Sequence, residues 1–232
     1  MKELRVIPRS AEHGQVTEQR ASGGDIEWDL ADNRPGQAAR RRALEERAAH
    51  PARAFFGRVL RVHTDERAWR VGADGEELVG RELQRLVVRH SPWWRVLHSI
   101  PVGTRGSDVD HLVVGPGGVF ILNTKNHPRA RIWVGGDTLL VNGARQPYVR
   151  NSRHEAKRAG RLLTAACGFP VEVTGVVVPV NASDVVVKQP PVGVHVVNRR
   201  RLCRWLCDRP HVWDAVMIDE IHEAARRPST WQ

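Results

Sequence analysis

The chain has 232 residues and a mass of 26.1 kDa, enough for one compact domain with an appendage or for two very small domains. Hydrophobic residues make up 41% and charged residues 27% of it, which is ordinary for a soluble globular protein. No apolar run approaches the roughly 18 residues that a membrane-spanning helix needs, and the N-terminus lacks the apolar core of a secretory signal. We therefore expect a soluble, cytoplasmic protein that does not bind membranes.

The charge favours an anionic partner. The formal net charge is +10 and the isoelectric point is near 10.8, which is typical of proteins that bind nucleic acid or phosphate. Only four of the 36 basic residues are lysine, and an arginine excess of this kind also results from coding bias in GC-rich genomes. The three cysteines are too few for a disulfide framework. Charge alone therefore indicates a nucleic acid or another phosphate-bearing partner without identifying it.

The first third of the chain differs in composition from the rest. Residues 1–36 lack periodicity and are predicted to be flexible, residues 37–49 to form a helix, and residues 54–62 to form a short docking element. We interpret residues 1–70 as a flexible and helical N-terminal extension and residues 71–232 as the domain proper.

The rest of the chain mixes helical and strand periodicity. Helices are predicted over 73–88, 151–167, 200–206 and 214–226, and strands over 94–100, 108–114, 119–125, 131–134, 139–141, 171–180 and 192–197. This order predicts a layered α/β (α+β) domain.

The second and third predicted strands carry the polar residues that indicate chemistry. Strand alternation places Asn123 and Lys125 on one face, at the end of an otherwise apolar strand. Counting outward from the turn at Pro116-Gly117 brings Asp110 opposite Asn123. A carboxylate, a carboxamide oxygen and an ammonium then lie close together, and oxygen ligands suit a hard ion such as Mg²⁺. These groups are the minimum for metal-assisted cleavage of a phosphodiester.

Two blocks of the sequence resemble the nuclease-related domain (NERD) family. The first, Gly72-Ala-Asp-Gly-Glu-Glu-Leu-Val79, is similar to the Gly-x-x-Gly-Glu-x-x-Val opening of that family, and the second runs from Ser107 to His127. The resemblance extends from about residue 72 to residue 206. It implies a restriction-endonuclease-like fold of the PD-(D/E)xK type, with a mixed central sheet flanked by helices, and a role in DNA processing.

The resemblance also implies roles for single residues. Glu76 matches the acid on the first helix of the family, Asp110 the metal-binding aspartate, and Lys125 the lysine that orients and polarises the attacking water. Asn123 stands where the family pattern has Asp or Glu, so a neutral oxygen replaces a charged one. The expected ligands of Mg²⁺ or Mn²⁺ are then Glu76, Asp110 and Asn123, and Asp108 is a further acid available to compensate for Asn123.

Basic residues near these positions are candidates for contacts with DNA. Four of them recur at spacings of three and four along one predicted helix and the fifth follows Lys125 closely: Arg150, Arg153, Lys157, Arg161 and His127. A solvated helix face explains the stripe equally well. A structural ion pair is likewise the alternative explanation for Asp110 with Lys125.

The sequence therefore predicts a Mg²⁺- or Mn²⁺-dependent nuclease, that is, a hydrolase acting on DNA phosphodiester bonds. The alternative is a catalytically silent nucleic-acid-binding module on the same fold, which Asn123 favours. A third hypothesis is an interaction scaffold that recruits a partner through residues 1–70.

Overall fold

The computed structural model of the protein describes residues 28–49, 65–103 and 107–232. The helices in these ranges are α1 (Gln37–Ala49), α2 (Asp65–Arg89), α3 (Tyr148–Cys167), α4 (Leu202–Cys207) and α5 (Ala215–Ala225). The strands are β1 (Arg95–Val102), β2 (Ser107–Gly115), β3 (Gly118–Asn126), β4 (Arg131–Gly135), β5 (Thr138–Val141), β6 (Ala144–Gln146), β7 (Val173–Val180), β8 (Asp184–Gln189) and β9 (Val194–Val196). The docking element predicted at 54–62 lies outside the described residues. None of the helices in these ranges is long and apolar enough to cross a membrane.

A five-stranded mixed sheet forms the centre of the fold, in the order β1-β2-β3-β7-β9. Neighbouring strands from β1 to β3 are antiparallel because short connections join them, whereas β3, β7 and β9 run parallel. Parallel neighbours need a longer crossover, and the first crossover contains α3. A second sheet has the order β6-β5-β4-β8. This arrangement confirms the predicted restriction-endonuclease-like α+β class.

Strand alternation divides the core between the two faces of the central sheet. Ile121 packs on one face in the buried cluster that includes residues of α3 and α5. Phe120 and Leu122 pack on the other face with residues of α2 and α4. Strand β3 is consequently buried from Val119 to Thr124, as expected of a central strand covered on both sides. Polar groups at the end of β3 therefore enter surroundings that are poor in water.

The helix α2 begins at Asp65 rather than at the predicted residue 73. Glycines in its interior weaken the sequence signal for a helix, but two of them permit close packing. A Cβ added at Gly75 would lie 2.8 Å from the Cβ of Asn126, and one at Gly80 would overlap the ring of Pro35. Gly75 therefore lets α2 pass close to the end of β3, and Gly80 lets it pass close to the segment before α1.

Edge strands of the second sheet are the elements that periodicity does not predict. The residues of β8 are exposed or half-buried, so this strand lacks the buried alternation that identifies a strand in a sequence. Strand β6 has three residues, too few to show a period. At the edge of the central sheet, β9 covers only Val194–Val196 of the predicted strand 192–197.

The segment before α1 packs against the domain, although its composition predicts flexibility. Leu30 is 2% exposed within the core, and the Asn33 side chain donates a hydrogen bond to the Ser99 carbonyl oxygen. Asp29 forms an ion pair with Arg226 of the C-terminal region. Three separate contacts therefore hold the segment against the domain. Because the contacting residues do not recur at a helix or strand period, the sequence shows no hydrophobic periodicity there.

The helix α1 has its predicted bounds and lies against α2. It buries alanines, whose small side chains allow a close approach of the two helices. The Arg40 guanidinium bridges two acids of α2, Asp74 at 2.7 Å and Glu77 at 2.8 Å. The two helices are thus joined by packing and by charge.

A histidine pair connects β1 to β2 inside the sheet. The Nδ1 atoms of His98 and His111 are 2.8 Å apart, and Nε2 of His111 lies 3.4 Å from Oγ1 of Thr124. Burial lowers the pKa of His98 to about 4. Burial, with a further contribution from His98, holds the pKa of His111 well below its ordinary value. Both rings are therefore neutral at pH 7, and one ring donates a hydrogen bond to the other.

We expect acid to destabilise the fold through this pair. The folded-state pKa of His98 is about 4, below the ordinary value of 6.5, so the unfolded chain takes up a proton first. Protonation of this pair therefore lowers the free energy of unfolding progressively as the pH falls from about 6.5 toward 4. The shift corresponds to on the order of 3 kcal/mol, which urea unfolding between about pH 7.5 and about pH 4.5 measures.

The variant His98→Gln keeps a hydrogen-bonding side chain and removes this titration, so its stability should depend less on pH. The exposed His211 offers the control His211→Gln, which should keep the pH dependence of the unmodified protein. Equal pH dependence in all three proteins would contradict the prediction.

Candidate functional site

Strands β2 and β3 separate at the site. Their paired register ends with His111 opposite Leu122, so the next residues along it are Asp110 and Asn123. The backbone N–H of Thr124 donates to Oδ2 of Asp110 at 2.6 Å. A side chain thus accepts the hydrogen bond that a strand partner would otherwise take. The structure brings Asp110 and Asn123 together at this point.

Lys125 lies two residues beyond Asn123 and is half-buried. Its ammonium interacts electrostatically with the carboxylates of Glu76, Asp110 and Glu155. Its Nζ is also close to an aromatic ring of α3, 5.3 Å from the centroid of that ring. One cation therefore faces three carboxylates, and we call Glu76, Asp110, Glu155 and Lys125 the acidic cluster.

The carboxylates of the acidic cluster resist ionisation. The pKa of Glu76 is raised to about 8, chiefly by burial and then by the charge of Asp110, while Lys125 opposes the shift. Burial also raises the pKa of Asp110, against Lys125 and the N–H of Thr124. Negative charge is thus concentrated beyond what one lysine compensates, which favours the binding of a cation.

Asp108 is held by α1 and not by the acidic cluster. The Arg42 guanidinium donates to Oδ2 of Asp108 at 2.6 Å and lies 4.8 Å from the centroid of the Trp69 ring. Burial raises the pKa of Asp108, and Arg42 opposes this shift. The sequence leaves Asp108 available to compensate for Asn123, but in the structure its carboxylate is engaged by an arginine.

Glu155 is the member of the acidic cluster that sequence reasoning misses. Nδ2 of Asn123 donates to Oε2 of Glu155 at 2.6 Å. Burial raises the pKa of Glu155, while the Asn123 hydrogen bond and the charge of Lys125 lower it. Asn123, predicted as a metal ligand, is therefore hydrogen-bonded to Glu155 of α3.

A spacing signal in α3 could have located Glu155. Ser152 and Ala159 are buried, and Glu155 lies three residues after the first and four before the second, so it borders the buried face of the helix. Tyr148 lies two turns earlier along the same edge. A carboxylate at the edge of a buried face needs a polar or charged partner. This requirement could have identified Glu155 as a candidate site residue from the sequence.

The predicted ligand set of Glu76, Asp110 and Asn123 contributes two carboxylates and one carboxamide. Within the described ranges, no three His, Cys, Asp or Glu side chains form a group that could hold a metal ion. Since the Asn123 nitrogen faces Glu155, its amide oxygen points away from that residue.

Three residues of the predicted basic stripe are exposed on the outer side of α3, namely Arg150, Lys157 and Arg161. Arg161 also lines a cleft of about 600 Å³ that Glu155 and Asp108 border. Of the stripe, Arg161 therefore reaches the cleft that Glu155 borders.

The other two residues predicted to contact DNA are engaged within the protein. Arg153 donates to both carboxylate oxygens of Asp137, at 2.9 and 2.6 Å, and so ties α3 to the β4–β5 turn. Nε2 of His127 lies 3.0 Å from the hydroxyl of Tyr148, and burial lowers the pKa of His127, with a contribution from Lys125. These three residues, His127, Tyr148 and Lys125, line a second cleft of about 780 Å³.

Replacing Glu76 should stabilise the protein when divalent ions are removed. The folded-state pKa of Glu76 is about 8, above the ordinary value of 4.5, so stability decreases as the pH rises between these values. Glu76→Gln removes this effect and should raise the free energy of unfolding by about 1 kcal/mol or more in EDTA at about pH 8, with little difference near pH 4.

The neighbouring residue provides a matched control for this measurement by urea unfolding. Glu77 is paired with Arg40 at 2.8 Å, so Glu77→Gln should bring no gain in stability. If Glu76→Gln were no more stable than the unmodified protein at about pH 8, ionised Glu76 would not lower the free energy of unfolding, and the prediction would be wrong.

Comparisons with known proteins find a family match in this part of the chain. The family described as Nuclease-related domain (NERD) matches residues 71–180. An uncharacterized protein of Bacillus anthracis is 31% identical over 106 residues, which cover 41% of this chain and 47% of that protein; the match therefore spans less than half of the relative. No solved structure gives a significant match. The matched segment contains Glu76, Asp110, Asn123 and Lys125, and residues 71–180 are similar to the nuclease-related domain family.

Proposed function

We propose that the domain is a metal-dependent nuclease that hydrolyses phosphodiester bonds of DNA. The observation that carries the proposal is the convergence of Glu76, Asp110 and Lys125 at the end of β3. The family match supports a nuclease-related function from the sequence, and the mutual electrostatic influence of these side chains supports it from the geometry.

Mg²⁺ or Mn²⁺ is the proposed cofactor, with the carboxylates of Glu76 and Asp110 and the amide oxygen of Asn123 as ligands. All three donors are oxygens, which hard divalent ions prefer. The raised pKa values of the two acids fit a cation site, because a nearby positive charge favours their ionised forms. When bound, such an ion polarises a phosphoryl oxygen and makes a coordinated water more acidic.

The protein's own residues position and stabilise the reacting phosphate. The ammonium of Lys125 can donate to the phosphoryl oxygens and stabilise the charge that develops on them. The N–H of Thr124 fixes one oxygen of Asp110, which holds this carboxylate at the point where β2 and β3 separate. Lys125 orients and polarises the attacking water in this proposal.

DNA would follow the two clefts that border the acidic cluster. Arg158 and Arg161 line the first cleft beside Glu155, and Lys125 and His127 line the second. A strand that crosses from one cleft to the other would bring a phosphate to Lys125. Basic side chains of this kind contact phosphates without reading sequence.

Asn123 favours a second candidate function, in which the domain binds DNA without cutting it. A neutral amide in place of a carboxylate lowers the negative charge available to a divalent ion. The amide nitrogen moreover faces Glu155. The same basic clefts would then serve a catalytically silent binding module.

Cleavage of supercoiled plasmid and of labelled single-stranded DNA tests the first candidate. Mg²⁺ or Mn²⁺ should support cutting, and EDTA should abolish it. Asp110→Asn and Lys125→Gln should each lower the cleavage rate about 100-fold or more, because both remove a charge that acts on the transition state.

Two exposed residues outside the site give matched controls. Asp208→Asn and Lys188→Gln change the same charges at exposed positions and should cut at the unmodified rate. A protein that binds DNA but does not cut it with either ion would establish the silent module in place of the nuclease.

Removing two cations of α3 should weaken DNA binding and reduce its dependence on salt. For each phosphate that the variant no longer neutralises, the slope of log affinity against log salt concentration should fall by about 1, as fluorescence anisotropy of a labelled duplex measures. The variant is Lys157→Gln/Arg161→Gln. Its control is Arg85→Gln/Arg204→Gln, which removes two exposed cations from the helices on the opposite face of the sheet. Equal weakening in both would show that net charge alone drives binding.

A further inference from the structure

The last strands of the two sheets border one cleft of about 890 Å³. Strand β8 ends the second sheet and β9 ends the central sheet, and residues 190–193 connect the two strands. Among the described residues, β8 pairs with β4 alone and β9 pairs with β7 alone. Each of the two strands therefore has an outer edge whose backbone N–H and C=O groups pair with no other described strand.

The cleft runs along these edges and not over a face of either sheet. Asp184 and Val185 are consecutive in β8, so their side chains point to opposite faces of the sheet, and both line the cleft. The same holds for His195 and Val196 of β9. Because β4 and β7 occupy the inner edges, the cleft meets the outer edges, where the backbone groups are unpaired.

The composition of β8 suits it to receive another strand. It covers the six residues Asp184–Gln189 and has three consecutive valines at its centre, a residue type that favours extended backbone. Val187 is 39% exposed and lines the cleft. Edge strands that avoid pairing commonly carry a charge or a proline at their centre. The charged residues of β8 lie toward its ends, and prolines only follow it.

Charge on the third wall of the cleft indicates an acidic occupant. This wall is formed by α4 and the turn before it, and it carries three exposed arginines, Arg200, Arg201 and Arg204. Arg204 lies 3.5 Å from Asp208, whereas Arg200 and Arg201 form no ion pair with a described residue. The other acid that lines the cleft is Asp184. The arginines therefore keep an excess of positive charge that complements carboxylates of a bound chain.

The open strand edge favours a polypeptide over a nucleic acid as the occupant. A strand edge presents both N–H donors and C=O acceptors, and a second polypeptide backbone satisfies both. A phosphodiester backbone offers acceptors to proteins, so it would leave the C=O groups of β8 unpaired. The helix α4 moreover packs on the opposite face of the central sheet from α3, which carries the cations that we assign to DNA.

We propose that this cleft binds an extended acidic segment of a partner protein, which adds to β8 as a further strand. Backbone hydrogen bonds to β8 supply affinity, as in other cases of strand addition. Carboxylates that contact Arg200 and Arg201, and apolar side chains that contact Val187, select a segment in which acidic and apolar residues alternate. This binding does not depend on nuclease activity.

Amide hydrogen exchange of the full-length protein tests the strand addition. The probe is an acetylated peptide of four Val-Glu repeats at up to about 1 mM, a concentration that reveals even weak binding. It should slow exchange of the outward-facing amides of β8 at least about fivefold, because pairing protects them. Exchange in β5, an inner strand of the same sheet, should not change. A peptide of four Val-Lys repeats should have no effect on β8.

Two double variants separate the charge of the cleft from the net charge of the protein. Arg200→Gln/Arg201→Gln should weaken binding of the Val-Glu peptide about threefold or more, the effect expected of two exposed ion pairs. Arg145→Gln/Arg227→Gln removes two exposed arginines outside the cleft and should bind the peptide as the unmodified protein does.

Each of four results would overturn the proposal. These are unchanged exchange of β8 with the Val-Glu peptide, equal protection by the Val-Lys peptide, and equal weakening in both double variants. The fourth is protection of β8 by an oligothymidylate that competes with the peptide, which would assign the cleft to nucleic acid.

Discussion

Three carboxylates share one lysine at the end of a strand buried on both faces, and this imbalance of charge determines how the surrounding elements are used. The acids come from three elements, Glu76 from α2, Asp110 from β2 and Glu155 from α3, and Lys125 comes from β3. Burial raises the pKa of each acid. The folded chain therefore keeps an unfavourable arrangement that hydrophobic packing elsewhere must offset, as is common at functional sites.

Packing and nearby ion pairs make this arrangement possible. Gly75 lets α2 approach the end of β3, and Gly175 lets α3 lie against β7, so both helices deliver their acids at short range. Asp108 pairs with Arg42 of α1, although its negative charge still contributes to raising the pKa of Glu76 and Asp110. The acids of the region thus fall into those paired with arginines and those left to Lys125, and only the second kind is poised for a cation.

Local patterns predict the part of the candidate site that lies on β2 and β3. Alternation along β3 places Asn123 and Lys125 on one face, and counting from the hairpin turn places Asp110 opposite Asn123. The register of β2 with β3 is consistent with this count, since its last pair is His111 with Leu122, next to these two residues. Contacts between distant elements could not be predicted in this way. The approach of Glu155 to Asn123 and of Arg42 to Asp108 depends on how closely helices pack on strands, which periodicity does not encode. Edge strands such as β8 lack a buried face and so leave little pattern to detect.

The packing of the segment before α1 has a consequence for cooperativity. The family match covers residues 71–180, but Leu30 shares a buried cluster with residues of α5, and Asp29 pairs with Arg226. Strand β9 moreover extends the central sheet beyond β7. The segment recognisable as a family is therefore smaller than the unit expected to unfold in one transition. Sequences on either side of the match therefore contribute buried surface that keeps a charge-crowded centre folded.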